Sequence, residues 1–208
     1  MQVLHHINKN YNSLHNMKLE KNQLLNLLSF FRIVCNLKTI KRSGWIHKSN
    51  ITSPESVADH SYSMCMMSMI LAEIINLDSG HIMKMVIIHD LAESLVGDHM
   101  PDDISSEEKQ LVEDKAMKKI ISKLPNSLRK NYLNIWNEYN DNITVNAKFV
   151  HSMDKLEMVL QAKEYEFEGY PKELLQPFIK SATDYISNER SDLVFEILQA
   201  IIDDSKRI

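Results

Sequence analysis

Four glycines and five prolines in 208 residues leave this chain few places to turn. Glycine supplies the positive-φ corners, and proline the rigid ones, that a protein of many short strands needs in number. Their scarcity favours long uninterrupted helices. Twelve methionines, against seven tyrosines and six phenylalanines, point the same way, because Met suits helices better than sheets. The length and an apolar fraction of 44% suit one domain with a real core. The expectation is an all-α fold of one domain with seven or eight helices.

Residues 1–17, rich in Asn and His, lack a helical apolar stripe and read as a flexible extension, leaving 18–208 as the domain. From 19 to 37, Leu24, Leu27, Leu28, Phe31 and Val34 fall at helical spacing. A basic, turn-prone stretch follows at 38–48 and contains Arg42, Gly44 and Trp45. Ser53, Pro54 and Glu55 mark a helix start, and that helix runs to about Asn76. Ser79 can cap another, from Gly80 to about Ser94, with Gly97 and Pro101 breaking the chain beyond it. Further helices are expected over about 105–124, 127–139, 144–168, 173–186 and 190–203.

A formal charge of −4 gives no global electrostatic reason to bind DNA, RNA or an anionic membrane. A small phosphorylated ligand needs only a local cationic site or a metal. Cys35 and Cys65 sit in apolar stretches and read as buried free thiols of a reducing compartment. No apolar run approaches the ~20 residues that span a bilayer, and nothing resembles a signal peptide. The chain reads as cytoplasmic.

Several polar residues break this pattern. His89 and Asp90 follow the apolar run Met85-Val86-Ile87-Ile88. Burying an imidazole beside a carboxylate costs several kcal/mol unless both find partners, and a divalent cation is one such partner. Glu93 lies four residues after His89 and three after Asp90, hence on the same helical edge, and Asp98 follows just beyond the helix end, after Gly97. His60 sits in the first turns of an apolar helix, and Asp154 flanks the stripe Val150, Met153, Leu156, Val159 and Leu160. Two histidines and two carboxylates from three helices would make a mixed N/O site with open positions, suited to Mn, Fe, Co, Zn or Mg. His151, one turn before Asp154, is the rival ligand. Asp59 reads as a helix-dipole partner, and His47, His81 and His99 as surface or loop residues.

The ordered set His60, His89-Asp90, Asp154 resembles the H…HD…D signature of the HD-domain metal-dependent phosphohydrolases. The segments PESVADHS (54–61), HDLAESLVGD (89–98) and HSMDKLE (151–157) resemble the HD-domain-containing protein 2 branch, related to bacterial deoxynucleoside 5′-monophosphate phosphatases. The likeness runs from about Leu24 to Tyr185. It implies a homodimeric helical bundle that releases phosphate from deoxyribonucleoside 5′-monophosphates with a divalent cation, Mn, Co or Mg. By resemblance His60, His89, Asp90 and Asp154 are metal ligands, and Glu93 and Asp98 serve catalysis or a second cation. Arg42 and Trp45 fall where the family carries an arginine and a tryptophan near the nucleotide. Two departures stand out. Arg42 and Trp45 are separated by Ser43-Gly44 where bacterial relatives have the pair adjacent. His99 stands where an aliphatic residue is expected and could add to a second metal site. Action on another nucleotide and a non-catalytic regulatory role are the rival readings.

Overall fold

The long helix near the end of the chain is the axis on which the others are hung. A computed structural model describes residues 19–99, 105–189 and 192–205, so the N-terminal extension and the connection at 101–104 lie outside the described residues. In chain order the helices are α1 (Lys21–Asn36), α2 (Ser43–Ser49), α3 (Val57–Ile74), α4 (Ser79–His89), α5 (Glu93–Val96), α6 (Ser106–Ile121), α7 (Asn126–Asp141), α8 (Val145–Phe167), α9 (Lys172–Glu189) and α10 (Asp192–Asp203). The fold is all-α; among the described residues the sole strand-like pairing is an isolated bridge between Lys41 and Ser56. Two short helices, α2 and α5, account for the difference from the eight expected.

α8 packs against α3, α4, α7, α9 and α10. Ala147, Val150, Met153, Leu156, Val159 and Ala162 are buried along it, so the expected apolar stripe faces the core except at Leu160, which is half-buried. Thr144 caps it through its hydroxyl, which accepts from the Ala147 N–H. No helix among the described residues is long and apolar enough to cross a membrane.

Four local expectations are corrected. Ser53 does not start α3: Arg42 N donates to Glu55 O, and Val57 N donates to Ile40 O, which holds 55–57 extended against 40–42. The cap is Ser56, in a reciprocal capping box with Asp59, so Asp59 is a helix-end residue as expected. α4 stops at His89, where Asp90 at φ −102°, ψ 11° leaves the helical region. Glu93 therefore opens a separate helix, α5, instead of sharing an edge with the pair. In α1 the stripe is rotated by one position. Leu27, Phe30 and Ile33 pack on the core, while Leu24, Leu28 and Phe31 are exposed, Phe31 at 57%. Cys35 is likewise exposed, not buried, and both cysteines are free thiols.

Helix ends show how the chain manages with little glycine. Asn50, Asn76 and Asn142 adopt φ of 54°, 59° and 48°, the left-handed corner that glycine usually supplies.

Candidate metal centre

α3 carries His60 into the interior one turn from its start, where the ring is fully buried. Its Nδ1 lies 2.5 Å from Glu157 Oε2. At the last residue of α4, His89 Nδ1 lies 2.5 Å from the Val86 carbonyl oxygen, which can only accept. Each Nδ1 therefore carries a proton, and each Nε2 is left to face carboxylates. His60 Nε2 is 3.3 Å from Asp154 Oδ1 and 3.9 Å from Asp90 Oδ2, and His89 Nε2 is 3.0 Å from Asp90 Oδ2. Both Nε2 atoms are buried and make no hydrogen bond.

A lone pair facing a carboxylate oxygen is repulsive unless a positive charge lies between them, so this donor set fits a divalent cation. His60, His89 and Asp90 each offer a ligand atom within 4.8 Å of the others. Asp154 comes in from α8 and faces the same Nε2 of His60 as Asp90 does. In the ion-free site a proton takes the charge's place. Burial and Arg42 oppose an imidazolium at His60, but Asp154 and Glu157 outweigh them and hold its pKa at about 10. Burial also opposes ionisation of both aspartates. His89, Arg42 and His60 nevertheless hold Asp90 well below the carboxylate range, and Lys155 and His60 do so for Asp154.

Arg42, at the start of α2, donates from Nη1 to Asp90 Oδ2 at 3.2 Å and places Nη2 3.7 Å from Asp154 Oδ1. Glu93 is 3% exposed, and its Oε2 has no hydrogen-bond partner. Burial, Asp90 and Asp98 push its pKa well up. Gly97, at φ 84°, ψ 166°, turns the chain after α5 in a conformation open essentially to glycine alone. Asp98 then points back, and its Oδ2 accepts from the Ser43 N–H at 2.7 Å and the Ser43 hydroxyl at 3.2 Å. The His99 carbonyl accepts from Lys109 Nζ at 3.1 Å, so that oxygen serves the protein's own cation.

These groups open on a cavity of about 380 Å³, within the range of small-ligand sites. Four carboxylates (Asp90, Glu93, Asp98, Asp154) and the cations Arg42, Lys48, Lys109 and Lys155 line its polar part. The apolar wall is Trp45 with Phe178 and Met158. Trp45 is 2% exposed, donates from Nε1 to Glu55 Oε1 at 3.0 Å and lies against Phe178 at a ring-centroid distance of 4.3 Å. It is thus a packing anchor whose edge reaches the cavity. A Cβ on Gly44 would come within 3.3 Å of the same Phe178 ring.

His151 turns away: it stacks on Tyr139 at 4.1 Å, and its Nε2 lies 3.0 Å from the Tyr139 carbonyl oxygen. His47 is exposed, and His81 pairs with Glu138 at 2.7 Å. His99, read as a loop residue, lies on the cavity wall. Sequence reasoning missed Glu157, Glu55 and Tyr139. Only Glu157 left a signal, its place one turn after Asp154.

A sequence model of the HD domain matches residues 34–193, which include every candidate ligand. The chain belongs to the HD-domain family. It is 42% identical over 156 residues to human 5′-deoxynucleotidase HDDC2, covering 74% of this chain and 76% of that one. It is 43% identical to the Dictyostelium discoideum protein of the same name, covering 75% of this chain and 87% of the relative. Among solved structures, the PH0347 protein of Pyrococcus horikoshii superposes with a TM-score of 0.72 at 28% identity, covering 84% of this chain and 97% of that one.

Proposed function

We propose that the chain is a metal-dependent 5′-deoxynucleotidase, releasing phosphate from deoxyribonucleoside 5′-monophosphates. The observation that carries the reading is the pair of buried Nε2 atoms on His60 and His89, without a hydrogen-bond partner and facing Asp90 and Asp154, two carboxylates that line a cavity of about 380 Å³. The relatives' names supply the substrate class.

His60, His89, Asp90 and Asp154 would hold the cation, with Mn, Co or Mg as the candidates. When bound, it would acidify a water for attack on phosphorus and offset charge on the phosphoryl oxygens. Arg42 then has its carboxylate partners shared with the cation, and its planar fork suits phosphoryl oxygens. With a cation bound beside it, Glu93 would be favoured in its ionised form and would accept the proton of the attacking water. Asp98, with Oδ2 fixed by Ser43, keeps Oδ1 for the leaving-group side or for a second cation, to which His99 is the neighbouring donor. Trp45 and Phe178 wall the space for the nucleoside. Replacing Asp90 with Ala should abolish phosphate release from dAMP while circular dichroism stays unchanged. Undiminished turnover would refute the reading, and dAMP binding without hydrolysis by metal-loaded wild-type protein would favour a regulatory role.

A homodimer is part of the proposal. Leu24, Leu25, Leu28 and Phe31 form an exposed apolar strip on α1 that a second copy would cover. Leu28→Glu should shift the mass measured by light scattering from two chains to one. The location proposed is the cytoplasm, in keeping with two free thiols.

A further inference from the structure

The buried acidic residue Glu157 lies outside the ligand set, yet it is in direct contact with one of its histidines. It is 2% exposed, and its Oε2 stands 2.5 Å from His60 Nδ1. It sits on α8 three residues after Asp154, so the two side chains leave the helix on one edge. That edge grips both nitrogens of one ring: Asp154 Oδ1 faces Nε2 at 3.3 Å, and Glu157 Oε2 takes Nδ1. Glu55 stands behind, offering a carboxylate oxygen within 4.8 Å of both His60 and Glu157. Its Oε1 accepts from Trp45 Nε1, and its backbone N–H donates to Tyr165 Oη at 2.9 Å. Glu55 is thereby tied to the cavity wall, which leaves Glu157 as the direct partner of the imidazole.

We infer that Glu157 is a positioning residue for the metal centre: it fixes the tautomer and the direction of His60 so that Nε2 is presented to the cation. This rests on the metal-centre reading above. The carboxylate accepts the Nδ1 proton and has none to donate, which directs Nε2 at the cation. A purely structural ion pair would hold α3 to α8 without that consequence.

The test compares Mn²⁺ affinity, by calorimetry, in the full-length wild-type protein, Glu157→Gln and Glu157→Ala. It adds the visible absorption of the Co²⁺-loaded forms and melting in EDTA. Loss of such a partner weakens metal binding by about 10–100-fold, and Glu157→Ala should show it. Glu157→Gln keeps the shape but removes the charge, and its amide can turn to donate to Nδ1. About tenfold weakening and an altered Co²⁺ spectrum are expected while the melting temperature holds. Should the alanine variant fail to fold, the glutamine variant decides. Mn²⁺ affinity within twofold of wild type in folded Glu157→Gln overturns the inference alone. Wild-type protein that binds no Mn²⁺ overturns the metal-centre reading itself.

Discussion

Replacing Glu93 with Gln should make the ion-free protein more stable and the enzyme far less active. Glu93 is 3% exposed, Oε2 has no partner, and Asp90 and Asp98 are its charged neighbours. A buried oxygen left unpaired costs about 1–3 kcal/mol, and an amide in its place can donate to either aspartate. Taking about 2 kcal/mol, and about 2–4 °C per kcal/mol for a chain of this size, the melting temperature in EDTA should rise by roughly 4–8 °C. The pH dependence gives a second handle. The folded pKa of Glu93 is raised, so between the unfolded value, about 4.3, and the folded one the native state holds the proton that the unfolded chain has lost. Stability of wild-type protein therefore falls as pH rises through that window. The advantage of the glutamine variant should be small at pH 5 and widen by pH 8. Phosphate release from dAMP should fall by about 10²–10⁴-fold, the usual contribution of a positioned proton acceptor. A glutamine variant that melts below wild type in EDTA, or a gap that does not widen from pH 5 to pH 8, refutes the reasoning.

His60 governs loading. Its folded pKa of about 10 lies above the ordinary 6.5, so its stabilisation of the ion-free fold is complete below pH 6.5 and is lost as pH rises through 10. Binding a cation displaces that proton, and Mn²⁺ affinity should rise by about tenfold per pH unit between pH 7 and 8.5 in a calorimetric titration; a flat profile would show that no proton leaves. Gly97→Ala meets no atom within 4 Å, so its cost is the backbone strain of φ 84°, about 1–3 kcal/mol. A drop of roughly 2–12 °C in melting temperature should accompany reduced phosphate release as Asp98 is displaced, both read on the same preparation.

The helices and the centre's principal side chains were legible because they break a pattern. His60, His89 and Asp154 interrupt or flank apolar runs, and the structure buries or half-buries each of them. Glu157 was hidden because a glutamate within a helix looks like a solvated face until the helix it packs against is known. The start of α3 was misplaced because Ser53-Pro54-Glu55 carries a valid local signal, which loses to the pairing of 55–57 with 40–42 and to the Ser56–Asp59 box. Glu93 lines the cavity by a route the sequence did not suggest. The break at Asp90, not a shared helical edge, brings it to the cavity. α1 could not be oriented from its sequence, since Leu27, Phe30 and Ile33 alternate with Leu24, Leu28 and Phe31 in equally plausible stripes.

The three asparagines that close α2, α3 and α7 in left-handed geometry leave the chain an unused margin for protein engineering. Asn50, Asn76 and Asn142 all lie off the cavity wall. Each holds a side chain where the backbone would relax with none, at a cost of at most about 1 kcal/mol. Glycine at Asn50 and Asn76 would harden the scaffold against heat without altering a donor atom of the centre, whereas Asn142 donates to Tyr185 Oη at 3.3 Å and is kept. Thermotolerance and turnover could then be adjusted independently, through residues on separate parts of the molecule.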